Sequence, residues 1–183
     1  MSRKHTNLVG LVVLIALSAG AQTASPATPA IDFSDDPCGS PLVESQLWYS
    51  VDGRVVSVED GSTVLIASTK NHSRVRVHLV GVSVEQNGAL ANEAKARVSK
   101  LTLNKSVGVL VNTDWLYQKK KPADVTGVVQ LKEGAGTDVG LFLVATGLAR
   151  AKEPRSYTMS RYTFCKYREA ESKAKSDKLG TWQ

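Results

Sequence analysis

Two runs of β-branched residues on either side of a tight-turn dipeptide constrain the fold of this chain more than any other feature. The runs are residues 49–59 and 63–68, and Asp60-Gly61 lies between them. An Asp-Gly pair between two such runs is typical of the short turn of a β-hairpin. The sequence therefore predicts two antiparallel strands here, and any domain built by this chain has to contain that hairpin.

A third strand is expected at residues 74–80, because apolar and polar residues alternate there with a period of two. Val75, Val77 and Leu79 form the apolar set. Arg74, Arg76 and His78 form the polar set. The strand is therefore expected to be half buried, with both arginines and the histidine on its exposed face.

After the third strand, the apolar spacing changes to that of an amphipathic helix at residues 88–103. Two further strands are expected at residues 106–111 and 125–131, and two further helices at 138–146 and 162–178. Three strands, a helix, two strands and two helices suit a five-stranded Greek-key barrel of the oligonucleotide-binding (OB-fold) type. The expected fold class is α+β, mainly β, with three helices packed against the barrel.

The first residues have the features of a secretory signal. Arg3 and Lys4 precede an apolar run at residues 8–19, and small residues follow at 19–21. The run is shorter than the ~20 apolar residues of a spanning helix. We therefore expect a signal peptide at 1–21, a flexible Pro- and Ser-containing leader at 22–41, and one domain at 42–183. The expected location is periplasmic or secreted, with no transmembrane helix after cleavage.

Cys38 and Cys165 are the only cysteines of the chain. Two cysteines in an exported protein are compatible with one disulfide, and the sequence leaves open whether it forms. Neither cysteine belongs to a CxxC pair or has a neighbouring histidine, so the cysteines predict no metal site.

The charge of the chain is mildly basic and unevenly distributed. The formal net charge is +6, and loss of Arg3 and Lys4 with the signal would leave 21 basic and 17 acidic residues. A basic face could bind nucleic acid or another polyanion, and it could equally be a solvated surface. The candidate polyanion-binding residues are Arg74, Arg76, Lys119, Lys120, Lys121, Arg150 and Arg155.

Five segments, in order and spacing, resemble the staphylococcal nuclease (thermonuclease) family. They are VVSVEDGSTV (55–64), RVHLVGV (76–82), NEAK (92–95), LVATGLA (143–149) and AE (170–171) through GTW (180–182). The resemblance covers about residues 49–182. It implies the nuclease barrel and a calcium-dependent hydrolysis of DNA and RNA. In that family two aspartates bind calcium, a glutamate is the proposed general base, and two arginines contact the phosphate.

The same resemblance places other residue types at all five catalytic positions. Ser62 and Ser83 stand at the two aspartates, Gln86 at the glutamate, His78 at the first arginine, and Asp124 at or near the second. Calcium prefers carboxylate oxygens, and arginines neutralise the charge that develops on the phosphate. The nucleotide-contacting tyrosines are likewise replaced, by Glu153 and Arg155 or their neighbours. The resemblance therefore implies a degenerate catalytic site.

Three readings of the function follow. The first is a secreted, non-catalytic module without a cofactor, which binds nucleic acid, another polyanion or an envelope protein. A separate possibility is a structural part of an envelope assembly with no ligand of its own. The alternative is a divergent, metal-dependent endonuclease that uses calcium at a site rebuilt from Asp60, Glu85 and His78. Asp60 is explained more simply as a turn residue, Glu85 as a solvated loop carboxylate and His78 as an ordinary strand residue.

Overall fold

The computed structural model describes residues 36–39, 48–70, 72–112, 124–134, 136–154 and 158–183. The strands in these ranges are β1 (Trp48–Asp60), β2 (Thr63–Ser68), β3 (Arg74–Leu79), β4 (Val82–Ser83), β5 (Ser106–Asn112), β6 (Asp124–Leu131) and β7 (Arg150–Ala151). The helices are α1 (Ala89–Thr102), α2 (Val139–Ala145) and α3 (Arg161–Ser176), and a 3-10 turn follows at Gly180–Trp182. No helix within these ranges is long and apolar enough to cross a membrane.

Five strands close into a barrel in the order β1-β2-β3-β6-β5, and β5 pairs with β1. The β3–β6 pair is parallel, and the other pairs are antiparallel. Strand β1 pairs with β5 through residues 48–54 and with β2 through residues 53–60, and its pairing with β2 has register shifts after Val55 and Val58, as at a β-bulge. The predicted fold class, a mainly β five-stranded Greek-key barrel with three helices, is confirmed.

The barrel interior is filled mainly by valine. The fully buried valines of the strands are Val55, Val64, Val77, Val107, Val109, Val111 and Val129. β-Branched side chains suit the pleated inner surface of a small barrel, where every second residue points inward. Strand β3 follows the predicted alternation, because its three apolar residues are buried while Arg74 and His78 are exposed. The sequence therefore positioned the polar face of β3 correctly.

The short pair β4–β7 was not predicted. Val82 pairs with Ala151, and Ser83 pairs with Arg150. Each strand has two residues, which is too short to produce a periodic pattern in the sequence. The pair joins the loop after β3 to the chain before α3, so it places Ser83 directly beside Arg150.

Helix α2 is joined to α3 by a partly buried carboxylate. Asp138 caps α2 by accepting a hydrogen bond from the Leu141 backbone N–H at 3.1 Å. The same oxygen accepts a bond from the Tyr167 hydroxyl at 2.8 Å. Burial raises the pKa of Asp138, and burial together with Asp138 raises the pKa of Tyr167. This contact fixes α3 against α2.

The start of the described chain is bonded to α3. Cys38 and Cys165 form a disulfide. Beside it, Asp36 accepts hydrogen bonds from Lys166 Nζ at 2.8 Å and from the Cys38 backbone N–H at 2.9 Å. The bond from Lys166 is the main cause that holds the pKa of Asp36 below its usual value. A part of the expected leader is thus attached to the domain. The expected signal at 1–21 lies outside the described residues.

Candidate functional site

Three of the five positions to which the resemblance assigns catalytic roles lie on adjacent parts of the barrel. Ser62 lies in the turn between β1 and β2. In the next strand pair, Thr63 faces His78, and across the parallel pair Arg76 faces Asp124. Strand pairing therefore brings Ser62, His78 and Asp124 to one edge of the barrel, as their assigned roles require.

Arg76 is neutralised by two carboxylates at this edge. Its Nε lies 2.8 Å from Glu59 Oε2, and its Nη1 lies 3.0 Å from Asp124 Oδ1. The hydrogen bond to Glu59 and then that to Asp124 raise the pKa of Arg76. Exposed ion pairs contribute little stability, but they remove charge from a surface. Arg76 is one of the candidate polyanion-binding residues, and both of its carboxylate partners belong to the protein itself.

His78 lies between a hydroxyl and a carboxylate. Its Nδ1 is 3.3 Å from Thr63 Oγ1, and its Nε2 is 3.7 Å from Asp124 Oδ1. Its side chain is about half exposed, at 47%. An imidazole lacks the forked donors with which arginine holds a phosphate, and it is cationic only when protonated. Asp124, at or near the second arginine position, adds a negative charge beside it.

Asp60 and Ser62 are hydrogen-bonded to each other within the turn. Asp60 Oδ1 accepts hydrogen bonds from the Ser62 backbone N–H at 2.6 Å and from the Ser62 hydroxyl at 3.0 Å. Burial acts to raise the pKa of Asp60, but hydrogen bonds from Ser62 and Thr63 outweigh it and lower the pKa. This is the side-chain to backbone bonding of an Asx turn. Turn formation thus explains why an aspartate stands at position 60.

The other two assigned positions lie in β4 and in the loop after it. Ser83 lies beside Arg150 on the β4–β7 pair. Gln86 donates a hydrogen bond to the Val84 carbonyl at 3.2 Å, a local loop contact. Glu85 is exposed and lines a cleft with Ser83 and Arg150. Among the described residues, no hydrogen bond or ion pair joins Glu85 to Asp60 or His78.

These side chains do not fit the calcium site that the resemblance implies. Calcium takes six to eight oxygen ligands, several of them carboxylates, around one point. Where the structure describes the chain, one trio of ligand-type side chains converges within 4.8 Å, namely Cys38, Cys165 and Glu169. Both sulfurs of that trio are bonded to each other. Among the described residues, Glu59, Asp60 and Asp124 form no such group.

The described surface carries unbalanced positive charge. Most described carboxylates pair with a cation or cap a turn or helix, and Glu85 and Glu153 are the exposed ones without a partner. The exposed cations whose side chains contact no described partner are Lys70, Arg74, Lys95, Lys100, Lys152, Arg168 and Lys178. Most of them were not predicted, because a sequence shows where cations are but not which are paired. Of these seven, Lys70 and Arg74 flank the turn between β2 and β3.

The candidate polyanion-binding residues therefore differ in their availability. Arg74 is exposed and unpaired. Arg76 is neutralised by Glu59 and Asp124. Arg150 stacks over the ring of Trp182 at 4.9 Å. The remaining candidates lie outside the described residues, namely Lys119, Lys120, Lys121 and Arg155.

Part of the chain is similar to a known protein family. A family model described as staphylococcal nuclease homologue matches residues 69–183. The match covers β3 to the last residue, and so includes His78, Ser83, Gln86 and Asp124. No curated protein matches the chain.

Proposed function

Because the chain belongs to the staphylococcal nuclease family, we propose that it is an exported member that does not hydrolyse nucleic acid but binds it as a single strand. One observation carries the non-hydrolytic part of this proposal. At the edge where the phosphate would bind, Glu59 and Asp124 neutralise Arg76, and Asp124 also lies beside His78.

Hydrolysis of a phosphodiester requires positive charge where the transition state becomes more negative. The edge offers one permanent cation, Arg76, against three carboxylates, Glu59, Asp60 and Asp124. Its formal charge is therefore negative, and it stays negative even when His78 is protonated. A serine hydroxyl at the position of each calcium-binding aspartate adds no compensating metal affinity. The site is built to repel the reacting group of the substrate.

Binding without hydrolysis needs only cations that reach the phosphates of a flexible strand. Lys70 and Arg74 are such cations, and they lie at one end of β2 and β3, the strands that bind oligonucleotides in this barrel type. None of the aromatic side chains that the structure describes is fully exposed, so base stacking contributes little in this part of the surface. We therefore expect binding that depends on salt and hardly on base sequence.

The test is fluorescence anisotropy with a labelled single-stranded DNA over a salt series. We expect the affinity to fall by about 0.7 logarithmic units per phosphate contact for each tenfold rise in salt. Arg74→Glu should weaken binding by about tenfold or more, because it replaces an attraction with a repulsion. Lys178→Glu is the matched control, since it makes the same charge change at an exposed, unpaired cation after α3.

Each outcome of this experiment decides a different point. Equal losses in Arg74→Glu and Lys178→Glu would mean that net charge alone attracts the strand and that β3 has no special role. Absence of binding even at low salt would contradict the proposal. An envelope protein would then be the partner to seek, and its complex should be insensitive to salt.

A second candidate is a divergent metal-dependent endonuclease. It is favoured by one observation, which is that the carboxylate of Asp60 lies in the turn beside Ser62 and near His78. It is disfavoured by Glu85, which lines a separate cleft. Direct measurement of cleavage separates the two candidates.

A further inference from the structure

A cleft of about 260 Å³ lies beside the β4–β7 pair. Its polar lining comes from Ser83, Glu85, Arg150 and Thr181, and its apolar lining includes Leu90 and Leu148. These residues belong to β4 and the loop after it, α1, the segment at β7 and the C-terminal 3-10 turn. The cleft thus has both charged and apolar walls, and neither the barrel core nor the edge at Arg76 uses it.

Arg150 is held in place in this cleft without being neutralised. Its guanidinium lies over the Trp182 ring at 4.9 Å and donates a hydrogen bond to Thr181 Oγ1 at 3.3 Å. It has no carboxylate partner among the described residues. A guanidinium has five N–H donors, so a single bond to Thr181 leaves most of them available. A fixed, planar set of free donors is what binds a carboxylate in two-point fashion.

Glu85 provides the opposite charge in the same cleft. It is exposed and has no hydrogen-bond or ion-pair partner within the part of the chain that the structure describes. It lines the cleft together with Arg150, yet the two side chains form no ion pair with each other. The cleft therefore holds one anionic and one cationic group that do not pair with each other. This arrangement is complementary to a ligand carrying both charges.

We propose that this cleft binds a free α-amino acid with an apolar side chain. The ligand carboxylate pairs with Arg150, assisted by the hydroxyls of Ser83 or Thr181. The ligand ammonium pairs with Glu85, and the side chain packs on Leu90 and Leu148. The volume is slightly below the roughly 300 Å³ at which drug-sized ligand pockets begin, so a molecule of one-residue size is the appropriate occupant. A peptide C-terminus lacks the ammonium group that Glu85 requires.

The proposal is tested by NMR titration of the isotope-labelled protein with L-leucine, N-acetyl-L-leucine and L-leucinamide. The first ligand has both charges, the second lacks the ammonium, and the third lacks the carboxylate. We expect leucine to shift the backbone resonances of Leu90, Ala149 and Arg150. Each analogue should bind at least about tenfold more weakly than leucine. This result does not depend on nucleic-acid binding, because the cleft and β3 share no residue.

Glu85→Gln should weaken the binding of leucine by about tenfold and leave that of N-acetyl-leucine unchanged, because only leucine brings an ammonium group. Glu153→Gln is the matched control. Glu153 is also exposed and unpaired, but it lines a different cleft, with Lys152 and Thr158. No shifts up to about 10 mM leucine, equal affinity for the three ligands, or unchanged leucine binding in Glu85→Gln would each overturn the proposal.

Discussion

Gly147→Ala is expected to lower the free energy of unfolding by about 3 kcal/mol, as the sum of backbone strain and a steric collision. Gly147 has φ of +71°, which is unfavourable for any residue with a Cβ atom. An added Cβ would also collide with the carbonyl of Leu179, and Gly180 makes the reciprocal close approach to Gly147. The two glycines let α2 and the C-terminal turn touch through their backbones, where the Thr181 N–H donates to the Gly147 carbonyl at 2.9 Å.

Urea denaturation of Gly147→Ala and Gly134→Ala separates the two causes. Gly134 has nearly the same φ, +68°, but nothing lies within 4 Å of an added Cβ. Gly134→Ala should therefore cost only the strain, on the order of 1 kcal/mol. Equal losses in the two variants would show that the close approach of Gly147 to Leu179 has no energetic weight, and would contradict the described packing of the C-terminal turn.

Replacing both Cys38 and Cys165 with alanine should lower the stability by about 2 to 4 kcal/mol. The bridge joins residues 127 positions apart, and a loop of that length loses much conformational entropy in the unfolded chain when it is closed. Thermal or urea denaturation of the double variant against the disulfide-bonded parent measures the effect. A change of less than about 1 kcal/mol would contradict it, because the segment at Asp36 would then not be constrained by the bridge.

Asp36→Asn is the control for the same segment, because it keeps the disulfide and removes the negative charge that pairs with Lys166. Its stability loss should be much smaller than that of the double variant. The lowered pKa of Asp36 means that its contribution is present above the usual carboxyl value of 3.8 and is lost as the pH falls through the lowered pKa. The difference between parent and Asp36→Asn should therefore disappear in acid, whereas the effect of the disulfide should persist.

The barrel could be predicted because its strands have local sequence patterns. The Asp60-Gly61 turn and the alternation in β3 act over a few residues, and the structure has both. Helix α3 shows where this reasoning stops. The apolar residues Tyr167 and Ala174 of this helix are buried, but Glu171 is buried as well. Its carboxylate accepts bonds from the Ala151 N–H at 3.0 Å and from Lys175 at 2.9 Å, and hydropathy cannot reveal such partners.

The candidate site, too, could be predicted only in part from the sequence. The resemblance assigned His78 and Asp124 to phosphate-binding positions, and the parallel pairing of β3 with β6 brings them together. The sequence did not show that Arg76 is neutralised, because Glu59 and Asp124 reach it from two other strands. A contact across the β3–β6 pair depends on the crossover between strands 48 positions apart, which no local pattern encodes.

The central claim, that this family member does not hydrolyse nucleic acid, is tested most directly by incubating the folded protein with single-stranded DNA over titrations of calcium, magnesium and manganese. Asp60→Ala and Glu85→Ala serve as controls, since these carboxylates are the ones from which a rebuilt metal site would have to be made. We predict no cleavage above the protein-free rate at any metal concentration, for the parent and both variants alike. Metal-dependent cleavage by the parent that disappears in Asp60→Ala or Glu85→Ala would contradict the account.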